Sequence, residues 1–191
     1  MRARTETGQD ALMGTFPPGF FDRVESGRPD ESGLDDAALA ALRDLYDDLG
    51  IDGRVLGLCE GSADHFNVPP DELLTATLGD LPLPYPDASF DDALCFEGLA
   101  AVTDPGAAFT EVARVLRPGG RFVTSFTSRR PAEAIRGWLV TDDAGRVRIA
   151  RRYFELTDGF GPAESDLRSQ LTGTGDRLWA VWAARRPRPA A

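Results

Sequence analysis

Several absences in this sequence exclude whole classes of protein. None of the 191 residues is lysine, so arginine accounts for all 21 basic residues. No apolar run is long enough to cross a bilayer, so no transmembrane helix is predicted. Two cysteines, Cys59 and Cys95, and one histidine, His65, are too few for a dedicated zinc site, and no metal is predicted. Each cysteine is interpreted as a small buried apolar residue in a reducing compartment.

Basic charge is scarce relative to acidic charge. Asp and Glu together number 31, which gives a net charge of −10. A nucleic-acid backbone would be repelled unless a local basic patch opposed this field. The arginines within 129–130, 146–152 and 185–188 are not interleaved with aromatic residues, so we interpret them as solvated faces and a frayed tail. Neither nucleic acid nor a membrane is therefore expected as a partner. The polar first ten residues lack the apolar centre of a secretion signal, so a cytoplasmic location is expected.

The sequence does contain a regular alternation of strand and helix patterns. Its length and its 42% hydrophobic content suit one domain over residues 16–184, with a flexible leader over 1–15 and a disordered tail over 185–191. Strands that are apolar along their whole length are typical of a parallel sheet buried on both faces. Predicted strands cover 54–59, 92–96, 121–126, 163–168 and 178–183, and predicted helices cover 35–49, 105–117, 131–139 and 142–156.

Three segments depart from the alternation. Residues 16–33 combine proline, glycine and three phenylalanines, which predicts an irregular flap whose aromatic residues reach the core. Residues 71–78 follow Pro69–Pro70 and are predicted to form a short helix. No helix pattern separates the last two predicted strands, so an antiparallel edge is expected, with 178–183 exposed there. Because that strand is apolar on both faces, one face must meet a helix layer or a second copy of the chain in a homodimer.

Three motifs occur in a fixed order in the middle of the chain. Asp80 precedes a proline-rich segment over 81–87, Ser-Phe-Asp follows over 89–91, and a predicted helix ends in Leu-Arg-Pro-Gly-Gly over 116–120. This order resembles that of class I S-adenosylmethionine-dependent methyltransferases. The resemblance implies an α/β fold with a Rossmann-like sheet, mostly parallel with an antiparallel edge strand, and S-adenosylmethionine as cofactor. The lack of lysine beside abundant arginine, alanine and glycine suggests a compact bacterial member from a GC-rich genome, such as that of an actinobacterium.

The resemblance also places a cofactor site at the carboxyl ends of the strands. Asp80 would accept a hydrogen bond from the exocyclic amine of adenine, although a carboxylate that caps the turn explains this residue equally well. The residues that the resemblance assigns to the cofactor are Cys59, Glu60, Gly61, Ser62, Asp80, Leu81 and Phe96.

The first half of that site departs from the family pattern. Gly57 stands where the strand aspartate of the family is expected, and Gly61 alone remains of the glycine-rich turn. The chain is shortened between the first strand and Asp80, with too few residues for a helix, a strand and a ribose-binding carboxylate. Asp71 or Glu72 could replace that carboxylate, or could simply begin the short helix predicted there.

Fewer residues are predicted to act on the substrate. Glu97 follows the second buried strand, where a carboxylate could act as a general base, solvate the rim or cap the next turn. Phe20 and Phe21 lie on the flap and are predicted to contact the substrate beneath a closing lid. His65 is interpreted as a loop residue rather than as a catalytic group.

Two functions remain open at this point. The first is methyl transfer from S-adenosylmethionine to a small molecule, of the kind found in secondary metabolism. The second is a methyltransferase-fold protein that has lost methyl transfer and serves as a cofactor-independent enzyme, a metabolite binder or a scaffold for a partner enzyme.

Overall fold

The computed structural model of the protein describes residues 16–27, 34–59, 61–169 and 175–187. The predicted leader, Glu60 and the last four residues of the predicted tail lie outside the described residues. The strands are β1 (Arg23–Glu25), β2 (Arg54–Gly57), β3 (Glu72–Thr75), β4 (Phe90–Phe96), β5 (Leu116–Thr127), β6 (Glu133–Ile135), β7 (Glu164–Leu167) and β8 (Leu178–Ala184). The helices are α1 (Asp36–Asp48), α2 (Pro105–Val115), α3 (Arg136–Leu139) and α4 (Asp143–Glu155).

Six of the strands form the main sheet in the order β3-β2-β4-β5-β8-β7. Strands β3, β2, β4 and β5 are parallel, whereas β8 runs antiparallel to both β5 and β7. This confirms the predicted fold class, a mostly parallel α/β sheet with antiparallel strands at one side. Strands β1 and β6 form a separate antiparallel ribbon.

The three longer helices begin where acidic side chains cap them. Asp35, Asp104 and Asp142 each accept a hydrogen bond from the backbone N–H three residues later, at 2.7–2.9 Å. Such caps satisfy N–H groups that have no partner within the helix. The starts predicted for these helices are therefore correct to within one residue.

The helices cover both faces of the main sheet. On one face α1 buries Leu42, Leu45 and Tyr46. On the other, Phe109 of α2 and Phe154 of α4 pack edge to face, with ring centroids 4.9 Å apart. Each fully buried side chain of this size contributes about 1.5–3 kcal/mol. The sheet is thus buried between two apolar clusters, and its parallel strands all end at the same side.

Two predicted helices are wrong in part or in whole. Residues 72–75 form β3, in parallel register with β2, because main-chain pairing with β2 outweighs the local helical preference of Glu-Leu-Leu. The shortened segment therefore keeps a second strand, and a single turn of 3-10 helix, Ser62–His65, takes the place of the missing helix. The helix predicted over 131–139 is divided into β6 and the four-residue α3.

The position predicted for the last strand is also wrong. Strand β8 lies inside the sheet between β5 and β7, and helices pack on both of its faces, α1 on one and α4 on the other. Its apolar faces are therefore buried within this chain, and the reason to expect a homodimer through residues 178–183 disappears. The sheet also continues past the predicted domain end, since the N–H of Arg185 donates to the carbonyl of Gly120 at 2.7 Å.

No helix among the described residues is long and apolar enough to cross a membrane.

Candidate active site

A cleft of about 450 Å³ opens at the carboxyl ends of the parallel strands. The chain passes from β2 to β3 on one side and then crosses to β4 on the other, so the strand order changes direction at β2 and β4. Ligands of doubly wound sheets bind outside the strands at such a point. The residues that line the cleft are Arg23, Leu58, Cys59, Thr77, Leu78, Gly79, Asp80, Leu81, Phe96, Glu97, Gly98, Ala101, Val102, Thr103, Asp104 and Ala108.

The turn after β2 forms one wall of the cleft. Gly57 ends the strand so close to the turn that a Cβ there would lie 2.4 Å from the hydroxyl of Ser62. This contact explains why glycine occupies the position where an aspartate was expected. The Ser62 hydroxyl donates to the carbonyl of Cys59 at 2.7 Å, so Ser62 supports the turn from below. Cys59 lines the cleft, and a neighbouring cavity of about 540 Å³ is lined by both Cys59 and Gly61.

The loop between β3 and β4 forms the opposite wall. The Tyr85 hydroxyl donates to the carbonyl of Thr75 at 2.9 Å, and the Arg114 guanidinium donates to the carbonyls of Leu83 and Tyr85. These contacts fix the loop on both sides of Asp80. The Asp80 carboxylate is exposed and has no hydrogen bond to another described residue, so it remains available to a ligand.

No carboxylate of the described residues lies directly at the carboxyl end of β3. Thr75, Ala76 and Thr77 occupy the carboxyl end of this strand. Asp71 and Glu72 lie at its amino end, where Glu72 forms an ion pair with Arg54 at 2.9 Å. Neither acid can therefore replace the ribose carboxylate, and Thr77, which lines the cleft, is the polar side chain in that place.

Glu97 lies immediately after β4, between the cleft and a second cavity of about 190 Å³. Its backbone is left-handed, with φ of 57°, which is uncommon for a residue other than glycine. Its carboxylate accepts hydrogen bonds from the backbone N–H of Thr127, at 2.7 Å, and from the Thr127 hydroxyl. Burial raises the pKa of Glu97 even though these two hydrogen bonds oppose the shift. Both hydrogen bonds reach the same carboxylate oxygen, so the second oxygen can face a ligand.

A buried arginine, Arg146, contacts the backbone at the carboxyl end of β5, next to Glu97. The Arg146 guanidinium donates to the carbonyls of Thr127 and Arg129 at 3.3 and 3.2 Å, and stacks 5.5 Å from the ring of Trp138. Desolvation lowers the pKa of Arg146, whereas Asp143 and Glu97 oppose this shift. Arg146 was expected on a solvated face, but it is buried and links α4 to the backbone that holds Glu97.

The aromatic residues of the flap lie outside the cleft. Phe20 and Phe21 pack with Phe16 and Tyr153, and the Phe20 ring fills the space beside Gly137. Neither phenylalanine is among the described residues that line the cleft. The flap instead contributes Arg23 of β1 to the cleft. His65 is buried beneath the turn, with its ring 5.1 Å from that of Phe96, and does not line the cleft either.

Residues 47–124 match the family model of the methyltransferase domain. This segment of the chain is therefore similar to methyltransferase domains. Over 97 residues it is 51% identical to an O-methyltransferase of Aspergillus nomiae, covering 50% of this chain and 38% of that protein. Over 63 residues it is 44% identical to a ubiquinone/menaquinone biosynthesis C-methyltransferase of a Caulobacter species, covering 32% of this chain and 25% of that protein.

A solved structure shows the same fold for the methyltransferase domain. The 1,6-didemethyltoxoflavin-N1-methyltransferase of Burkholderia thailandensis superposes with a TM-score of 0.51 at 17% identity, over 80% of this chain and 79% of that one. That structure holds its substrate and S-adenosylhomocysteine. The matched segments span well under half of the two curated relatives.

Sequence reasoning missed Arg23, Thr77, Thr127 and Arg146. Arg146 had a signal, because Ile149, Ala150 and Tyr153 follow it at helical spacing and place it on the buried face of α4. No sequence pattern pointed to Arg23, Thr77 or Thr127, because only the folding of the chain brings these three residues to the site. Among the described residues, no cluster of His, Cys, Asp or Glu could hold a metal ion.

Proposed function

We propose that this protein transfers a methyl group from S-adenosylmethionine to a small molecule. The observation that carries this proposal is the cleft at the switch point of a methyltransferase domain, open beside Asp80. Its volume of about 450 Å³ falls within the roughly 300–1,000 Å³ range of small-ligand sites. No observation on the described residues favours a protein that has lost this chemistry.

The residues present fit the cofactor. Asp80 is free to accept a hydrogen bond from the exocyclic amine of adenine, and Leu81 offers an apolar surface beside it. Thr77 can hydrogen-bond the ribose in place of a carboxylate. Gly61, with φ of 71° and no heavy atom near its absent Cβ, leaves space above the turn for the methionine end. When bound, the cofactor supplies an electrophilic methyl group.

The smaller cavity beside Glu97 suits the methyl acceptor. Apolar side chains and two arginines line it together with Glu97: Leu34, Phe96, Pro131, Arg129 and Arg130. Phe96 and Glu97 also line the cleft beside Asp80. An acceptor held there would lie beside Glu97 and next to the cofactor's cleft, so the chain can align both reactants. Glu97 can take a proton from an acceptor hydroxyl or amine.

The names of the relatives are consistent with a small acceptor. The enzymes from Aspergillus and Caulobacter are an O- and a C-methyltransferase, and the Burkholderia enzyme is an N-methyltransferase that holds a small heterocycle. Since these differ in the acceptor atom, the test should include small phenols, amines and activated carbon acids.

The direct test is transfer of radiolabelled methyl groups from S-adenosylmethionine to such a panel. We expect at least one acceptor to become labelled by the wild type, and Glu97→Gln to lose this transfer while still binding S-adenosylhomocysteine. Tight binding of S-adenosylhomocysteine with no labelled product from any acceptor class would instead support a cofactor-binding protein without transferase activity.

A further inference from the structure

The cleft beside Asp80 has an uneven distribution of charge. Three carboxylates line it, from Asp80, Glu97 and Asp104, whereas Arg23 is the single cationic side chain among the described lining residues. The protein as a whole carries a net charge of −10. Among the described lining side chains, Arg23 is therefore the one that can attract an anionic group.

Two backbone donors at the strand ends beside the cleft are engaged within the protein. The N–H of Leu58 donates to the carbonyl of Leu94 at 2.7 Å, and the N–H of Glu97 donates to the carbonyl of Ser125 at 2.8 Å. The 3-10 turn after β2 has only four residues, so it offers little helix dipole. Neither of these two N–H groups is available to a carboxylate of a ligand.

Arg23 is placed to serve as the missing donor. It lies on β1, opposite Ile135 of β6, and β6 packs against the turn Gly98–Ala101 that follows Glu97. Its guanidinium contacts Glu133 at 3.3 Å, and both side chains are 58% exposed. Exposed ion pairs of this kind are weak, so the guanidinium can exchange Glu133 for a ligand carboxylate at little cost.

We propose that Arg23 binds the α-carboxylate of the methionine part of the cofactor, a role that rests on the proposed function. Carboxylates outnumber cations in the lining of the cleft, so Arg23 is the one described lining side chain of opposite charge to the α-carboxylate. A guanidinium suits this contact because it can form two parallel hydrogen bonds with a carboxylate. The ribbon of β1 and β6 is then part of the cofactor site rather than only a cover over the core.

Two ligands that differ in the amino-acid part separate this role from any other. S-adenosylhomocysteine carries the α-carboxylate, whereas 5′-methylthioadenosine keeps the adenosine and sulphur without it. Calorimetry should compare both ligands on the full chain of the wild type, Arg23→Gln, Arg23→Lys and Arg136→Gln. Arg136 is the matched control, an exposed arginine that follows β6 and does not line the cleft.

We expect Arg23→Gln to weaken S-adenosylhomocysteine binding by about 10- to 100-fold, the range for a hydrogen bond to a charged group. Its affinity for 5′-methylthioadenosine should stay within about twofold of the wild type, since that ligand lacks the group Arg23 contacts. Arg23→Lys should fall between these limits, and Arg136→Gln should bind both ligands as the wild type does.

Equal weakening of both ligands by Arg23→Gln, or no weakening of either, would overturn the role of Arg23 and leave the proposed function intact. A wild type that binds neither ligand would contradict the proposed function itself, and with it this role. A thermal melt of each variant confirms that the substitution has not unfolded the domain.

Discussion

Acidic and basic residues have opposite roles at the two ends of the parallel strands, which we call the amino edge and the carboxyl edge of the main sheet. At the amino edge, carboxylates are paired: Glu72 with Arg54, Asp91 with Arg117, and Asp92 with Arg121. At the carboxyl edge, Asp80 has no hydrogen bond to a described side chain or backbone group, and Arg23 has only an exposed partner.

This difference separates residues that hold the fold from residues that are available to a ligand. The amino edge satisfies its charges internally and joins neighbouring elements, as where Arg121 contacts both Asp92 and the carbonyl of Leu49 at the end of α1. Side chains at the carboxyl edge keep unused hydrogen-bonding capacity, which is the arrangement expected of a binding site. Substitutions at the two edges should therefore affect different measurements.

The largest effect should come from Glu97 at the carboxyl edge. Glu97→Gln should lower the rate of methyl transfer by about 100-fold or more, the scale of general base catalysis. Burial raises the pKa of Glu97, so ionising it costs the folded state more than the unfolded one, and this cost grows as pH rises through the folded pKa. The Gln variant should therefore be at least as stable as the wild type near neutral pH in a thermal melt. A rate within a few-fold of the wild type would remove Glu97 as a base.

The next largest effect should come from Arg114 near the amino edge. Arg114→Ala removes hydrogen bonds to Glu111, Asp87 and the carbonyls of Leu83 and Tyr85, and should lower the free energy of unfolding by about 2 kcal/mol. Chemical denaturation measures this loss. An unchanged midpoint would show that these contacts do not stabilise the fold.

The ion pair between Arg114 and Glu111 predicts that the stability of the protein depends on pH. Hydrogen bonds from Arg114 hold the pKa of Glu111 below its usual value, so the stability from this pair is present above the unfolded pKa of about 4.3 and is lost as pH falls through the lower folded pKa. The difference in stability between wild type and Arg114→Ala should therefore shrink on acidification. A difference that grows in acid would contradict the assignment.

A smaller effect is expected for the exposed Asp80. Asp80→Ala should weaken S-adenosylhomocysteine binding by about tenfold, equivalent to about 1.4 kcal/mol for one lost hydrogen bond. Its free energy of unfolding should stay within about 0.5 kcal/mol of the wild type, as for most surface substitutions. Asp158→Ala, an exposed aspartate near the amino edge, is the control and should change neither quantity. Equal affinities for the two variants would exclude Asp80 from the site.

The smallest effect concerns Glu133, the exposed partner of Arg23. Glu133→Gln should change the free energy of unfolding by less than about 0.5 kcal/mol, because both side chains of this pair are largely solvated. Urea denaturation checks this value. A loss of more than about 1 kcal/mol would place this pair with those of the amino edge and weaken the contrast between the edges.

Local sequence signals predicted much of the fold and less of the site. Asp35, Asp104 and Asp142 mark helix starts because the capping contact lies within four residues. Strand β3 was missed because its stability comes from pairing with β2, which sequence periodicity does not show. Within the site, Asp80 could be predicted because it stands just before the proline-rich segment, and Glu97 because it stands just after a strand pattern. Arg23 reaches the cleft only through the pairing of β1 with β6, a contact between residues more than a hundred positions apart.

Calorimetric titration of the wild-type chain with S-adenosylhomocysteine tests the central claim most directly. The account predicts saturable binding at one site, with a rise in melting temperature that increases with ligand concentration. No heat and no thermal stabilisation at millimolar ligand would contradict it.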